Sequence, residues 1–166
     1  MSRKYLNGKW CVRCGKKTPT PYLEKNWELL GHEKGTIVDI GCGNGRNTVF
    51  MQNKGFACTP LDMADDFGNT ISLGKEKFPL DGKSIDIFLA NYVLMFLSKK
   101  ERNQVASEIK RTAKDGSTIM VELYPALDSN APSEEKMVKL QKEFFDKLGC
   151  TKIRYSKGKF IARIGE

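Results

Sequence analysis

An open, mostly parallel α/β sheet with helices on both faces is the fold class that this 166-residue sequence predicts. Three observations carry it. Residues 36–63, TIVDIGCGNGRNTVFMQNKGFACTPLDM, read as strand, glycine turn, helix and second strand. Downstream, short apolar runs alternate with segments of helical periodicity, the pattern of a doubly wound sheet. Near the C-terminus, residues 153–155 and 160–164 alternate around Ser156-Lys157-Gly158-Lys159 and read as a closing β-hairpin.

In chain order, residues 1–35 come first. Tyr5, Leu6, Trp10, Tyr22, Leu23, Trp27, Leu29 and Leu30 make them too apolar for a disordered tail. Residues 23–30 suit two helical turns packed on the sheet. Thr18-Pro19-Thr20-Pro21 is an extended break, because a residue before proline is pushed out of the α region. Cys11-Val12-Arg13-Cys14-Gly15 has the outline of a zinc knuckle. A structural zinc takes four ligands, however, and no second CxxC or HxxxH follows. Cys42, Cys58 and Cys150 are isolated, so two thiols are the simpler reading and no metal is assigned. His32, the only histidine, reads as a solvated loop residue.

The run Ile37-Val38-Asp39-Ile40 is short and β-branched, as a buried strand is. It breaks into Gly41-Cys42-Gly43-Asn44-Gly45, where glycine permits positive φ and close approach of backbone to a ligand. Residues 46–54 read as a helix with Val49, Phe50 and Met51 apolar and Gly55 as its stop. A second strand over residues 56–61 leads to Asp62, seventeen residues after Gly45. This is the layout of a nucleoside-binding half-sheet, with the acid placed to hold ribose hydroxyls. The spacing is GxGxG rather than the GxGxxG that seats a pyrophosphate.

Residues 64–83 leave only twenty positions for the next connections. Asp65-Asp66-Phe67-Gly68-Asn69 reads as a turn or one helical turn and residues 70–73 as a short strand. Residues 85–97, IDIFLANYVLMFL, are a strand running into a turn. Asn91-Tyr92 falls at its carboxyl edge, where open α/β sheets bind ligands. Ser98-Lys99-Lys100-Glu101 is a capping box. It starts a helix with Val105, Ala106 and Ile109 inward that ends near Asp115-Gly116. On the strand over residues 117–124, Met120, Glu122 and Tyr124 share the face opposite Ile119, Val121 and Leu123. Ser133 caps a last helix with Met137, Leu140, Phe144 and Leu148 as its apolar stripe and Gly149 as its end.

Composition bounds the reading further. The length suits one folded domain, and no apolar run reaches the eighteen residues of a membrane span. MSRKYLNGKW lacks the apolar core of a secretory signal, and five cysteines, an odd number, suit a reducing cytosol. A cytoplasmic protein without membrane contact is expected. Of the net +8, residues 1–35 carry +5 from eight Lys/Arg against three Glu. Residues 150–166 carry +4 from five against one. Basic ends on a neutral body suit an anionic substrate, nucleic acid or an acidic surface, or are simply solvated.

The GxGxG block with its distal Asp62 resembles motif I of class I S-adenosylmethionine (SAM) methyltransferases. GCGNGRN and Val93-Leu94-Met95-Phe96-Leu97 are most similar to the tellurite-resistance and small-molecule branch. The resemblance covers residues 35–164 and implies a compact Rossmann-like sheet of seven strands, the last antiparallel. It divides the chain into an N-terminal segment, 1–35, and a SAM-binding domain, 36–166. It implies SAM as cofactor and S-adenosylhomocysteine as product. The cofactor-site residues it implies are Asp39, Gly41, Cys42, Gly43, Asn44, Gly45, Asn47, Asp62, Met63, Gly74, Asn91 and Tyr92. In relatives an acid accepts from the adenine amino group. Here the matching positions are Gly74-Lys75-Glu76, so backbone or Glu76 is expected to replace it. Methyltransferases acting on exocyclic nitrogens of DNA bases, or on glutamine side chains, carry an Asn/Asp-Pro-Pro-Tyr/Phe turn. Asn91-Tyr92-Val93-Leu94 stands here instead, which disfavours amino-group methylation of DNA.

Methyl transfer from a sulfonium is an in-line displacement governed by positioning. A thiolate or anionic oxo-acid acceptor needs no general base, whereas a phenol or amine does. No His or Lys is placed for that task, which favours a soft or already ionised small molecule. Tyr92 and Tyr124 are the candidates for shaping the catalytic site, with Glu122 third. Residues 125–132 are too few for an inserted lid, so residues 1–35, with Tyr5, Trp10 and Tyr22, are expected to cover the acceptor. A monomer or weak dimer is expected. The rival readings are an RNA or protein methyltransferase using the basic ends, with nucleic acid the less favoured partner, and a SAM-binding protein without turnover.

Overall fold

The computed structural model describes residues 18–63, 67, 69–123 and 133–165. The expectations for Cys11 and Cys14, Tyr5 and Trp10, Tyr124, and the loop over 125–132 fall outside these residues.

The described chain opens on a short helix α1 (Pro21–Asn26), capped by Thr20 with Pro21 at its first position, and a 3₁₀ turn (Trp27–Leu30). These are the two helical turns expected before the sheet. Strand β1 (Thr36–Ile40), helix α2 (Arg46–Asn53) and strand β2 (Ala57–Asp62) follow within a residue or two of their expected bounds. The next pairing, β3 (Asn69–Thr70), is only two residues long. Then come β4 (Ile85–Asn91), a 3₁₀ turn (Leu94–Phe96) and α3 (Lys99–Thr112), whose Ser98–Glu101 capping box is formed in both directions. Strand β5 (Ala113–Glu122) starts four residues earlier than expected, because Asp115-Gly116 is an irregularity within the strand rather than a turn before it. Helix α4 (Glu134–Leu148) leads to the hairpin β6 (Thr151–Ser156) and β7 (Lys159–Arg163).

The strands form one sheet in the order β3-β2-β1-β4-β5-β7-β6. Six of them are five residues or longer, and β3 extends one edge. β1 to β5 pair in parallel, and β7 runs antiparallel between β5 and β6. The order reverses between β1 and β4, which opens a crevice above their carboxyl ends.

Strand alternation divides the core between the two faces. Val38, Ile40, Phe88, Ala90, Ile119 and Val121 pack with α3 and α4 on one face. Ile37, Ile87, Leu89, Met120 and Ile161 pack with Met51 of α2 and with Leu23 and Leu30 on the other. Leu23 and Leu30 are fully buried, so residues 20–30 are built into the body of the fold. Among the described residues, no helix is long and apolar enough to cross a membrane.

Candidate functional site

The crevice is floored by the glycine loop after β1. Gly41, Gly43 and Gly45 all take positive φ, at 70°, 55° and 77°. Their surroundings differ. A Cβ on Gly41 would lie 2.4 Å from Val93 Cγ2, and one on Gly45 would lie 2.2 Å from the Phe67 ring. Among the described residues, one on Gly43 would meet nothing within 4 Å. The first and third glycines therefore serve close packing, and the middle one leaves the loop open to a ligand. Asp62, at the end of β2, accepts from the Gly43 N–H at 2.7 Å, which brings the distal acid against the loop. Leu61 O holds the Gly41 and Cys42 amides at 2.7 and 3.1 Å.

Cys42 is buried and donates from Sγ to Phe67 O at 2.9 Å. Burial raises its pKa further above the ordinary thiol range, so it stays a thiol and fills space. Asn44 Oδ1 accepts from Arg46 N at 3.3 Å at the start of α2. Asp39 is 1% exposed and accepts from Thr48 Oγ1 at 2.6 Å, tying β1 to α2. Burial is the main cause that lifts its pKa to about 6; the Thr48 hydrogen bond opposes this and the nearby Asp62 charge adds to it.

Across the crevice, β4 and β5 bring Asn91 and Glu122 into register as parallel partners. Glu122 is fully buried. Its Oε1 accepts from Asn91 Nδ2 at 2.6 Å and from Thr20 Oγ1 at 2.5 Å, and its Oε2 accepts from the Tyr92 hydroxyl at 2.9 Å. Tyr92 also donates its backbone N–H to Glu122 O at 2.7 Å while holding φ at +57°. A left-handed conformation in a bulky non-glycine residue costs about 1–2 kcal/mol, and Glu122 holds it from two directions. The Thr20 N–H in turn donates to Asn47 Oδ1 at 2.9 Å. One chain of hydrogen bonds thus links α2, the N-terminal segment, β5 and the end of β4.

Sequence reasoning ranked Glu122 third and did not single out Thr20. The signals were present. Glu122 interrupts the apolar run of β5 on an inward-facing position, and Thr20-Pro21 is a helix cap followed by an N1 proline. Asn47, expected at the cofactor, has its amide oxygen engaged by the Thr20 N–H. Gly74, also expected there, packs on α3, with a Cβ at that position 2.4 Å from Glu101 Cβ. Glu76, the expected substitute at the adenine, folds back to accept from Ser72 N at 2.5 Å. Met63 is half-buried against the core on the α3 face. Among the described residues, no cluster of three or more His, Cys, Asp or Glu could hold a metal.

A ligand for this crevice has to suit the donor set. Asp62 is an acceptor beside an open loop. Among the described residues, Asn91 Oδ1 is buried without a hydrogen-bond partner, an acceptor awaiting a donor. A nucleoside with ribose hydroxyls and an ammonium group, as SAM carries, fits both.

A family model described as a methyltransferase domain matches residues 38–121, 84 of the 166 residues. The fold is similar to a solved SAM-dependent methyltransferase from Aquifex aeolicus, with a TM-score of 0.70 at 15% identity over 95% of this chain and 100% of that one. It is similar to 1,6-didemethyltoxoflavin-N1-methyltransferase from Burkholderia thailandensis, solved with 1,6-didemethyltoxoflavin and S-adenosylhomocysteine. There the TM-score is 0.64 at 14% identity over 89% and 78% of the two chains. It is also similar to geranyl diphosphate C-methyltransferase from Streptomyces coelicolor, with a TM-score of 0.59 at 15% identity over 80% and 62%. At such identities these likenesses show the fold. No curated protein matches the sequence. The family match, over half the chain and spanning the glycine loop, Asp62, Asn91 and most of β5, carries the assignment: the chain belongs to the methyltransferase-domain family, as a methyltransferase that uses S-adenosylmethionine.

Proposed function

We propose that this enzyme methylates a small molecule whose accepting atom is soft or already anionic. The observation that carries this reading is the engagement of Glu122. The acid nearest the crevice on β5 accepts from Thr20, Asn91 and Tyr92, and so serves as a scaffold rather than as a base. A thiolate or oxo-acid acceptor needs no proton removed. The GCGNGRN and Val93–Leu97 runs, which resemble the tellurite-resistance branch, point the same way.

Bound SAM supplies the electrophilic methyl group on its sulfonium. The remaining work belongs to this chain. The open backbone at Gly43 admits the cofactor, and the Asp62 carboxylate holds ribose hydroxyls. Asn91 Oδ1 accepts from the cofactor's ammonium. Tyr92, fixed in its left-handed conformation by Glu122, is proposed to shape the reacting side. Asp39 and Asn47 act from behind, through Thr48 and Thr20. Tyr124 follows Glu122 by two residues and is proposed to line the acceptor side. The segment before Thr20, with Tyr5 and Trp10, is proposed to cover the acceptor, because Thr20 fixes its exit point beside Glu122.

Incubation with methyl-labelled SAM and fractionated cell extract tests the reading. Label is expected in the small-molecule fraction. Label confined to RNA or protein would contradict it.

A further inference from the structure

A second basin lies outside the crevice, between the N-terminal halves of α3 and α4. It has a volume of about 350 Å³, within the usual range for small-molecule sites. Lys99 and Arg102 line it from α3, and Lys136 and Lys139 from α4. Among the described residues, the one carboxylate on its wall is Glu143, and Met95 and Leu140 give it an apolar floor. Four cations against one acid leave an excess of +3.

The cations are incompletely neutralised. Lys99 reaches Glu143 at 3.5 Å. Arg102 is half-buried and donates to Leu97 O, a single carbonyl for a group with five N–H donors. Burial pushes its pKa down from the ordinary guanidinium value, as expected of a cation held partly out of water. Among the described residues, the Lys136 and Lys139 side chains meet no acceptor. Their positions are also unfavourable. Three of the four cations occupy the first four residues of their helices, where the macrodipole favours anions. Stability alone does not account for convergent cations at two helix starts.

We propose that this basin binds a multivalent oxyanion, phosphate or diphosphate, carried by a small molecule. The guanidinium of Arg102 supplies a planar fork for two oxygens, and the lysines supply mobile point charges. The apolar floor accepts the adjoining carbon skeleton. Met95, in the 3₁₀ turn that leads from Tyr92 into α3, is the lining residue nearest in sequence to the crevice. The site does not depend on the identity of the methyl acceptor. Two sources share its ligand chemistry: the anionic end of the acceptor itself, or a separate phosphorylated metabolite.

Titration with inorganic pyrophosphate at constant ionic strength tests the proposal, using the full chain, Lys136→Gln/Lys139→Gln and Arg102→Gln. Saturable binding at millimolar pyrophosphate or below is expected for the unmodified protein. It should weaken about tenfold or more in each variant, while S-adenosylhomocysteine affinity stays unchanged in both and the thermal midpoint stays unchanged in Lys136→Gln/Lys139→Gln. The unchanged cofactor affinity separates loss of the basin from loss of the fold. No saturable binding, or equal binding by all three proteins, would overturn the proposal. So would binding of single-stranded RNA, lost in the variants, with no response to pyrophosphate. Once an acceptor is known, pyrophosphate inhibition competitive with it assigns the basin to the acceptor. Binding that leaves its KM unchanged assigns the basin to a separate metabolite.

Discussion

Thr20 and Glu122 are 102 residues apart in sequence, yet the Thr20 hydroxyl donates to the Glu122 carboxylate at 2.5 Å in the interior of the protein. The contact fastens the N-terminal segment to the carboxyl end of β5, the neighbour of the central strand β4. The same carboxylate orients Asn91 and Tyr92. A buried carboxylate is stable only with its lone pairs satisfied, and these three donors satisfy it.

Removing Glu122 therefore orphans three donors at once. Glu122→Ala is expected to lose about 3–5 kcal/mol of stability by urea denaturation. Thr20→Val removes one donor and the α1 cap, and is expected to lose about 1–3 kcal/mol. Equal losses for the two would contradict the central placement of Glu122.

The middle glycine separates binding from folding. Gly43→Ala has open space around the new methyl and bears only the left-handed backbone cost of about 1–2 kcal/mol. Its affinity for S-adenosylhomocysteine is expected to fall more than tenfold, because the methyl occupies the open side of the loop. Gly41→Ala, driven into Val93, is expected to lose the fold first. Calorimetric titration beside a thermal melt distinguishes the two.

Asp39 imposes a pH dependence of defined sign. Its folded pKa of about 6 lies above the ordinary carboxylate value of 3.8, so the folded state holds the proton more tightly than the unfolded chain. The favourable contribution is complete below the unfolded pKa and is lost as pH rises through 6, amounting to about 3 kcal/mol. Asp39→Asn cannot ionise and should lack this term. Its stability relative to the unmodified protein is expected to improve from pH 4 to pH 7. A difference constant over that range would show that Asp39 titrates normally.

Much of this architecture was legible in the sequence because it rests on local patterns. The glycine loop and Asp62 are set by strand ends and backbone freedom, which spacing reports directly. The capping box at Ser98 and the stripe Met137, Leu140, Phe144 and Leu148 are equally local, and both form as expected. The Thr20–Glu122–Asn91 linkage depends on three segments far apart in the chain, and no local pattern encodes it. Gly74 and Glu76 show the converse. Their family-motif match reports a possible ligand contact, while the fold adds what spacing does not report: the glycine permits close approach to α3, and the acid closes its own turn.

The division of the N-terminal segment at Thr20 is testable by truncation. Deleting residues 1–17 keeps Thr20, Leu23 and Leu30, and is expected to preserve cofactor affinity while abolishing methyl transfer to the small-molecule fraction. Full turnover by the truncated protein would show that this segment does not cover the acceptor.

The most direct measurement is calorimetric titration of the protein with S-adenosylhomocysteine, beside Asp62→Ala. Binding in the micromolar range is expected, weakened about ten- to a hundredfold when the carboxylate at Gly43 is removed. Equal affinity in the two proteins, or no binding by the unmodified one, would contradict the placement of the cofactor in this crevice.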